Sequence, residues 1–452
     1  MSFRHLMRVL LWSVLLVALT AGTAFAQKIQ FKTSPSGFVE PVWPAYTKQT
    51  KLTFWTWITN ADKWAALFTK AYPSITVNAS NVGQGQPQYT KLVTAIQAGV
   101  GAPDVVLIEL QFLPQFINTG GLTDLTKYGA GYAPLYPEWV WSQVNYRGKL
   151  YAIPEDIGPM GVFYRKDLFD KYSIAVPKTW DEYATAAAKL HAADPNVSMT
   201  FFNINDGGWI TAAMWQAGVF PFKDTPQGWV INFTSPEAMK FATYWDNLVK
   251  KGLARVQGGW TPEWTADIAA GKYATLLGAS WSPAYEMEPY IKDKAQQWRA
   301  AAMPLWDAKH PINSNWGGST NAVPKQSKNP DAAALLAAWL DLSKEGVELS
   351  ATDQNLGGCG LFPAAIHYSK IDSFAAKNAF LGGTQPNLLF ESLNPLVDKS
   401  FQFSPWSSFV YNELTVEFTK LFNGGQTVTE TLANVQKNTV EFAKAQGFKV
   451  VQ

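Results

Sequence analysis

The chain has 452 residues, of which 37 are basic and 35 acidic. Nucleic acids and anionic membranes select a strongly basic surface, so this charge balance argues against both partners. The length implies two or more core units. The chain also has 20 tryptophans, a number that invites a search for surfaces on which a ligand could stack.

The first 26 residues are predicted to be a secretory signal. Two arginines precede the apolar run of residues 9–19, which is short for a membrane span, and small residues lead to a predicted cleavage after Ala26. The alternative is an uncleaved anchor. Cleavage removes the two arginines and leaves the mature chain formally neutral. The sole cysteine, Cys359, can neither carry an N-terminal lipid nor form an internal disulfide. We therefore expect a protein of the periplasm.

Strands and helices alternate after a polar, proline-punctuated N-terminal extension over residues 27–50. The periodicity predicts strands over 51–57, 75–79 and 104–109, with a helix after Asn60 and another that ends at Gly99. This βαβαβ order is typical of an open parallel sheet with helices on both faces.

Further units follow toward the C-terminus. Capping boxes at Thr179 and Thr427 predict two helix starts, and Asn329-Pro330 predicts a third, with a helix that ends near Gly346. A strand is predicted at 273–277. The stretch AIPEDIG, residues 152–158, interrupts an apolar strand pattern with proline, two carboxylates and glycine. We therefore expect a boundary between structural units at this stretch.

Polar and aromatic residues follow each of the first three predicted strands. In doubly wound sheets, ligands bind outside the carboxyl ends of the strands. These loops hold Trp57 and Asn60, then Gln84, then Glu109 and Gln111. Amides and carboxylates supply hydrogen-bond partners for sugar hydroxyls, and flat rings stack on sugar C–H faces. The pattern favours a carbohydrate site.

Each of these residues also has a simpler interpretation. We expect Trp55 to face the core and Trp57 to face the site, although a tryptophan at a strand end is often a core residue. Asn60 could be a helix cap, Glu109 a solvated loop charge, and the GQGQ segment around Gln84 a flexible turn. That segment lacks the lysine and third glycine of a phosphate loop.

Several kinds of catalytic site find little support in the sequence. The mature chain has three scattered histidines and one cysteine, so no metal site and no cofactor are expected; a GxSxG motif is also missing. Carboxylate pairs such as Glu155-Asp156 keep a glycosidase possible. Adjacent strand residues point to opposite faces, however, which makes this pair a poor acid–nucleophile couple.

Several segments together resemble the extracellular solute-binding proteins of carbohydrate ABC importers, the maltose-binding-protein-like family. They are PDVVLIELQFLPQFINTGGLTDL (103–125), AIPEDIGPMGVFYRKDLF (152–169), PKTWDEY (177–183), GKYATLLGASW (271–281), GGSTNAVPKQSKNPDAAALLAAWL (317–340) and GGQTVTETLANVQ (424–436). The resemblance implies an α/β fold of two lobes (type II periplasmic binding protein), each a doubly wound sheet, with the ligand cleft between them.

The resemblance also implies lobe boundaries and partners. The N-terminal lobe would comprise 51–154 and 305–356, and the C-terminal lobe 158–303 and 357–452, with crossings near 154–158, near 303–305 and after Leu356. A monomer would deliver a sugar or oligosaccharide to a membrane permease without catalysis. A secreted carbohydrate-active enzyme, a binder of a polyol-like solute and a sensor-partner module remain alternatives.

Further site residues are implied by matching positions in the family. The acid of the first crossover matches Asp156, and the aromatic after the GKYATLLGAS strand matches Trp281. Four more tryptophans complete the implied set: Trp209, Trp260, Trp316 and Trp406. The departures from the family are Glu155 before the acid and Glu109 where a small residue is common; both could change which solute fits.

Overall fold

The computed structural model of the protein describes residues 29–292, 295–366 and 370–451. The predicted signal lies outside the described residues. No helix in the described part of the chain is long and apolar enough to cross a membrane. The N-terminal extension forms a hairpin whose Phe38 is buried in the core, and Glu40 Oε2 accepts a hydrogen bond from the backbone N–H of Lys344.

The strands are, in chain order, β1 (Phe31–Thr33), β2 (Val39–Pro41), β3 (Thr50–Trp55), β4 (Ile75–Ser80), β5 (Val105–Glu109), β6 (Asn145–Tyr146), β7 (Lys149–Leu150), β8 (Ala152–Pro154), β9 (Met160–Arg165), β10 (Thr200–Asn203), β11 (Phe222–Thr225), β12 (Gly228–Ile231), β13 (Ala254–Gln257), β14 (Thr275–Ala279), β15 (Trp298–Ala302), β16 (Ser319–Ala322) and β17 (Val450–Val451).

The α-helices are α1 (Ala61–Ala71), α2 (Gln86–Ala98), α3 (Leu113–Asn118), α4 (Thr126–Gly129), α5 (Glu138–Val144), α6 (Lys166–Lys171), α7 (Trp180–Ala193), α8 (Gly207–Gln216), α9 (Pro236–Lys250), α10 (Pro262–Ala269), α11 (Glu288–Ile291), α12 (Pro330–Leu342), α13 (Lys344–Ala351), α14 (Pro386–Leu393), α15 (Ser407–Phe422) and α16 (Val428–Ala445). A π-helical turn, Pro283–Met287, precedes α11.

The first lobe is built on a five-stranded sheet of order β4-β3-β5-β16-β8. Strand β3 runs parallel to β4 and β5, as the βαβαβ pattern predicts, whereas β16 is antiparallel to β5 and β8. The carboxyl ends of β3, β4 and β5 therefore share one edge of the sheet.

The second lobe is built on a sheet of order β14-β9-β15, in which β9 is antiparallel to both neighbours. A parallel pair, β10 and β13, continues this lobe. Its core is rich in rings: Trp245 and Trp209 are almost fully buried and pack against Phe202.

The chain passes between the two sheets more than once. The first passage links β8 to β9, and the second runs through residues 303–318 to β16, with Trp316 N–H donating to Gly158 O beside the first passage. The third begins after α13, where Ile157 N–H donates to Phe362 O. These three neighbouring passages form the connection between the lobes.

The three predicted helices agree with the structure to different degrees. Thr427 and Glu430 form both hydrogen bonds of a capping box. Thr179 accepts from Glu182 N–H, but the Glu182 carboxylate accepts from Lys178 N–H instead of closing the box. The helix after Asn329 ends at Leu342, because Ser343 adopts an extended backbone and caps a new helix.

Candidate ligand-binding site

A cavity of about 470 Å³ lies between the lobes, at the carboxyl edge of the first sheet. This volume falls within the ~300–1,000 Å³ range of small-molecule sites. Its walls are Trp57, Ile58, Gln84, Glu109, Asp156, Trp260, Trp281, Tyr285, Tyr290, Gly317, Gly318, Ser319 and Leu361. A cavity of equal volume beside the N-terminal extension lies away from this edge, so we take the interlobe cavity as the candidate site.

The first-lobe wall comes from the loops after β3, β4 and β5. Trp57, Gln84 and Glu109 line the cavity together, because parallel strands bring their carboxyl ends to one edge. The Trp57 ring packs edge-on against Tyr89, with centroids 5.9 Å apart. Trp55, the last residue of β3, is half-buried against the margin of the core, whereas Leu52 and Phe54 fill the core.

Glu109 is held by two neighbouring side chains. Tyr89 Oη donates to Oε2 and Gln111 Nε2 donates to Oε1, both at 2.8 Å. Burial raises the pKa of Glu109 to about 7, against the lowering effect of these two donors, and the nearby Asp206 and Asp156 raise it further. Gln111 is itself buried, so it orients Glu109 and does not line the cavity.

Asp156 lies on the first passage between the lobes. Ser319 N–H donates to its Oδ1 at 2.8 Å. Burial raises the pKa of the Asp156 carboxyl. The preceding Glu155 points the other way and accepts from Asn321 Nδ2 at 2.7 Å, so the two adjacent carboxyls do not face one bound molecule.

Trp281 follows β14 and supplies the second-lobe wall. Its Nε1 donates to the Trp316 carbonyl at 3.0 Å, and its ring lies against the Trp316 ring, with centroids 4.7 Å apart. A Cβ on Gly158 would come within 2.5 Å of Trp281 Nε1, so glycine is needed there. Trp316 is buried behind Trp281 and supports it, and one part of the Trp281 ring remains in the cavity.

The structure places three other predicted site residues away from the cavity. Trp209 is buried, with Nε1 donating to Leu277 O at 2.8 Å. Trp406 is buried against Trp229, with centroids 5.2 Å apart. Both side chains pack in the core of the second lobe and do not line the cavity. Asn60 has a left-handed backbone (φ 62°) and makes no capping bond; its Nδ2 donates to Gly358 O at 2.7 Å, which joins the first lobe to the third passage.

Two tyrosines of the site were not among the predicted residues. Tyr285 and Tyr290 line the cavity from the π-helical turn and α11, and Tyr285 Oη donates to Cys359 O at 2.8 Å. π-helical turns occur often at functional sites. Their position in the segment SPAYEMEPY, just after Trp281, is the feature of the sequence that could have identified them.

Acidic groups surround the cavity without a basic side chain in its described wall. Glu286, on the π-helical turn, is buried, and burial raises its pKa to about 8, helped by the nearby Asp206. Burial likewise raises the pKa of the Asp206 carboxyl. No cluster of metal-binding side chains occurs among the residues that the structure describes. The site therefore offers aromatic faces, neutral amides and carboxyl groups, and it disfavours an anion.

Comparison with known proteins gives a consistent result. Residues 46–346 match the family model described as bacterial extracellular solute-binding protein. The arabinooligosaccharide-binding protein of Bacillus subtilis (strain 168) is 24% identical over 313 residues, 66% of this chain and 70% of that protein. The lactose-binding protein of Rhizobium radiobacter is 25% identical over 302 residues, 63% of this chain and 68% of that protein.

Solved structures share the fold over nearly the whole molecule. The ABC transporter associated binding protein from B. animalis subsp. lactis Bl-04, in complex with β-1,6-galactobiose, is 32% identical with a TM-score of 0.76, covering 89% of this chain and 99% of that one. The galacto-N-biose-/lacto-N-biose I-binding protein from Bifidobacterium longum has a TM-score of 0.77 at 24% identity, covering 89% and 98%; this second likeness shows the fold alone.

Proposed function

The chain belongs to the bacterial extracellular solute-binding proteins, and we propose that it captures an uncharged saccharide between its lobes and delivers it to the permease of an ABC transporter. The observation that carries the proposal is the cavity wall, in which Trp57 and Trp281 stand beside Glu109 and Asp156 with no basic side chain in the described lining.

This wall suits a sugar chemically. The C–H faces of a pyranose ring stack on indole with little charge involved. Its hydroxyls need acceptors and donors, which Glu109, Asp156, Gln84 and Ser319 offer. A phosphate or carboxylate ligand would meet several buried acidic groups and no compensating cation in this wall, so it would pay a large desolvation cost.

The binding contacts come from both lobes, which supports closure by hinge bending. Trp57 and Glu109 belong to the first lobe, and Trp281 and Tyr290 to the second. A ligand that touches both at once favours the closed state through its differential affinity for that state. We place the hinge at the two adjacent passages near residues 154–158 and 315–318. The third passage, after Leu356, also belongs to the hinge.

We propose that the signal over residues 1–26 directs export to the periplasm, that the mature protein works as a monomer, and that it catalyses no reaction. The partner is a transporter permease, which recognises the closed, liganded lobes.

A thermal-shift screen tests the function. The panel contains β-1,6-galactobiose, lactose, an arabinooligosaccharide, their monosaccharides, and glycerol as a polyol. A saccharide present at 100 times its dissociation constant stabilises the folded state by ~2.7 kcal/mol, so a clear rise in melting temperature is expected. If none of the sugars raises it and glycerol does, the ligand is polyol-like.

Chromatography of the same mixtures tests the enzyme alternative. After prolonged incubation we expect each saccharide to be recovered intact. Cleavage products would show a carbohydrate-active enzyme and contradict the proposed transport role.

A further inference from the structure

A second cavity of about 470 Å³ lies on the first lobe, beside the N-terminal extension. Its walls come from three parts of the chain: the extension, the helical segment that begins at α4, and the start of α12. The proposed saccharide site uses none of these residues. The volume equals that of the interlobe cavity and is sufficient for a small molecule.

The extension is fastened to the first lobe, so this wall of the cavity is defined before any ligand arrives. Tyr72 Oη donates to Pro44 O at 3.2 Å. Ser74 Oγ donates to Tyr46 O at 2.6 Å, and Phe38, just before β2, is buried in the core. A wall that is already fixed reduces the ordering cost of binding.

Four aromatic side chains line the second cavity. Trp43 and Tyr46 belong to the extension, and Tyr128 and Tyr132 belong to α4 and the 3-10 helix that follows it. Trp43 Nε1 donates to Glu40 Oε2 at 3.3 Å, which orients the indole. Such rings combine a large apolar surface with a polar tip, so they suit a ligand that has a planar ring and polar groups.

The Tyr132 hydroxyl is a buried polar group that points to a ligand. Tyr132 is 7% exposed and lines the cavity, and the hydrogen bonds among the described residues leave its hydroxyl without a partner. Burial raises the pKa of this hydroxyl to about 12, with a smaller effect from Tyr72, so it stays protonated and able to donate. Buried polar groups are normally hydrogen-bonded, and a ligand in the cavity would supply the acceptor.

Two side chains of opposite charge complete the wall. Lys127 and Asp331 both line the cavity, and neither forms an ion pair within the part of the chain that the structure describes. The Lys127 Nζ lies 4.6 Å from the centroid of the Tyr128 ring, and Asp331 lies in the first turn of α12. A zwitterion can pair with both charges, whereas a singly charged molecule pairs with one and is repelled by the other.

We propose that this cavity is a second ligand site, which binds a free aromatic amino acid. The ring of the amino acid packs among Trp43, Tyr46 and Tyr132. Its ammonium group pairs with Asp331 and its carboxylate with Lys127, and a carboxylate oxygen accepts from the Tyr132 hydroxyl. The site is separate from the proposed saccharide site and gives the N-terminal extension a role in binding.

Isothermal titration calorimetry of the protein with L-tryptophan, without sugar, tests the site. Tryptamine lacks the carboxylate and indole-3-propionate lacks the ammonium group, so each should bind at least tenfold more weakly than L-tryptophan. Lys127→Gln and Asp331→Asn should each weaken the binding of L-tryptophan at least threefold. Asp62→Asn is the matched control, because Asp62 is an exposed aspartate in the first turn of α1; it should leave the affinity unchanged.

Tyr132→Phe tests the buried hydroxyl by itself. The variant keeps the ring and should also weaken L-tryptophan binding at least threefold. Its melting temperature without ligand should not fall, because the hydroxyl has no partner in the protein to lose. A lower melting temperature with unchanged affinity would show that the hydroxyl is structural, which contradicts its role in binding.

Trp281→Ala separates the two cavities. It should leave the affinity for L-tryptophan unchanged, since Trp281 lies in the interlobe wall; a loss of binding would place the amino acid between the lobes and overturn the second site. A wild type that does not bind L-tryptophan, equal binding of the three indole compounds, or unchanged affinity in the Lys127 and Asp331 variants would also overturn it. None of these results bears on the proposed function, which the saccharide screen tests.

Discussion

Replacing Glu109 by glutamine should remove a pH-dependent loss of stability. Burial raises the pKa of this carboxyl from 4.5 to about 7 in the folded protein. Between these two values the folded state keeps the proton that the unfolded chain has released, so the free energy of unfolding falls as pH rises. At ~1.4 kcal/mol for each tenfold change in proton concentration, the total is about 3 kcal/mol.

The assay is urea unfolding of the wild type and Glu109→Gln without sugar, at intervals from pH 4.5 to 8. The wild type should lose about 3 kcal/mol relative to the variant across this range, with most of the loss complete near pH 7. Taking the difference between the two proteins removes the contributions of Asp156, Asp206 and the other buried acids, which both proteins retain.

Tyr89→Phe provides a companion variant. The Tyr89 hydroxyl donates to Glu109 Oε2 and thereby lowers the pKa of that carboxyl. Its removal should move the midpoint of the pH-dependent difference upward. A difference between wild type and Glu109→Gln that stays constant with pH would refute the reasoning, since Glu109 would then ionise as readily folded as unfolded.

Three further substitutions separate binding from folding. Trp281→Ala should weaken disaccharide binding at least tenfold, ~1.4 kcal/mol, with little change in the unliganded melting temperature; an unchanged dissociation constant would remove Trp281 from the site. Trp406→Ala should lower the unfolding free energy by ~3–5 kcal/mol in urea titrations, and selective loss of affinity without destabilisation would contradict its core position. Arg147→Ala removes an ion pair to Asp224 across the lobes (3.2 Å, Arg147 side chain 67% exposed). Its loss should cost at most ~1 kcal/mol of stability but increase the unliganded radius of gyration in small-angle scattering, because the ion pair joins the two lobes, whereas Lys32→Ala should not change the radius. Equal radii for Arg147→Ala and wild type would show that this ion pair does not hold the lobes together.

The sequence predicted the first lobe well because its signals are local. Alternation and helical period mark β3, α1, β4, α2 and β5, and the rule for carboxyl ends of parallel strands brought Trp57, Gln84 and Glu109 to one edge. The position of a residue at such a strand end depends on the order and direction of the strands, and the βαβ pattern already indicates both.

The tryptophans were harder to assign because burial depends on long-range packing. Trp281 and Trp406 look equivalent in sequence, yet one follows a strand into the cavity and the other packs among Trp229 and Phe448. Asn60 looked like a helix cap, but its amide instead bonds Gly358, a residue far along the chain.

The most direct measurement is a crystal structure of the protein grown with the tightest-binding saccharide of the panel. We predict a sugar ring against Trp281 with a hydroxyl about 3 Å from Glu109 or Asp156. A saccharide bound elsewhere, with only solvent between these side chains, would contradict the account.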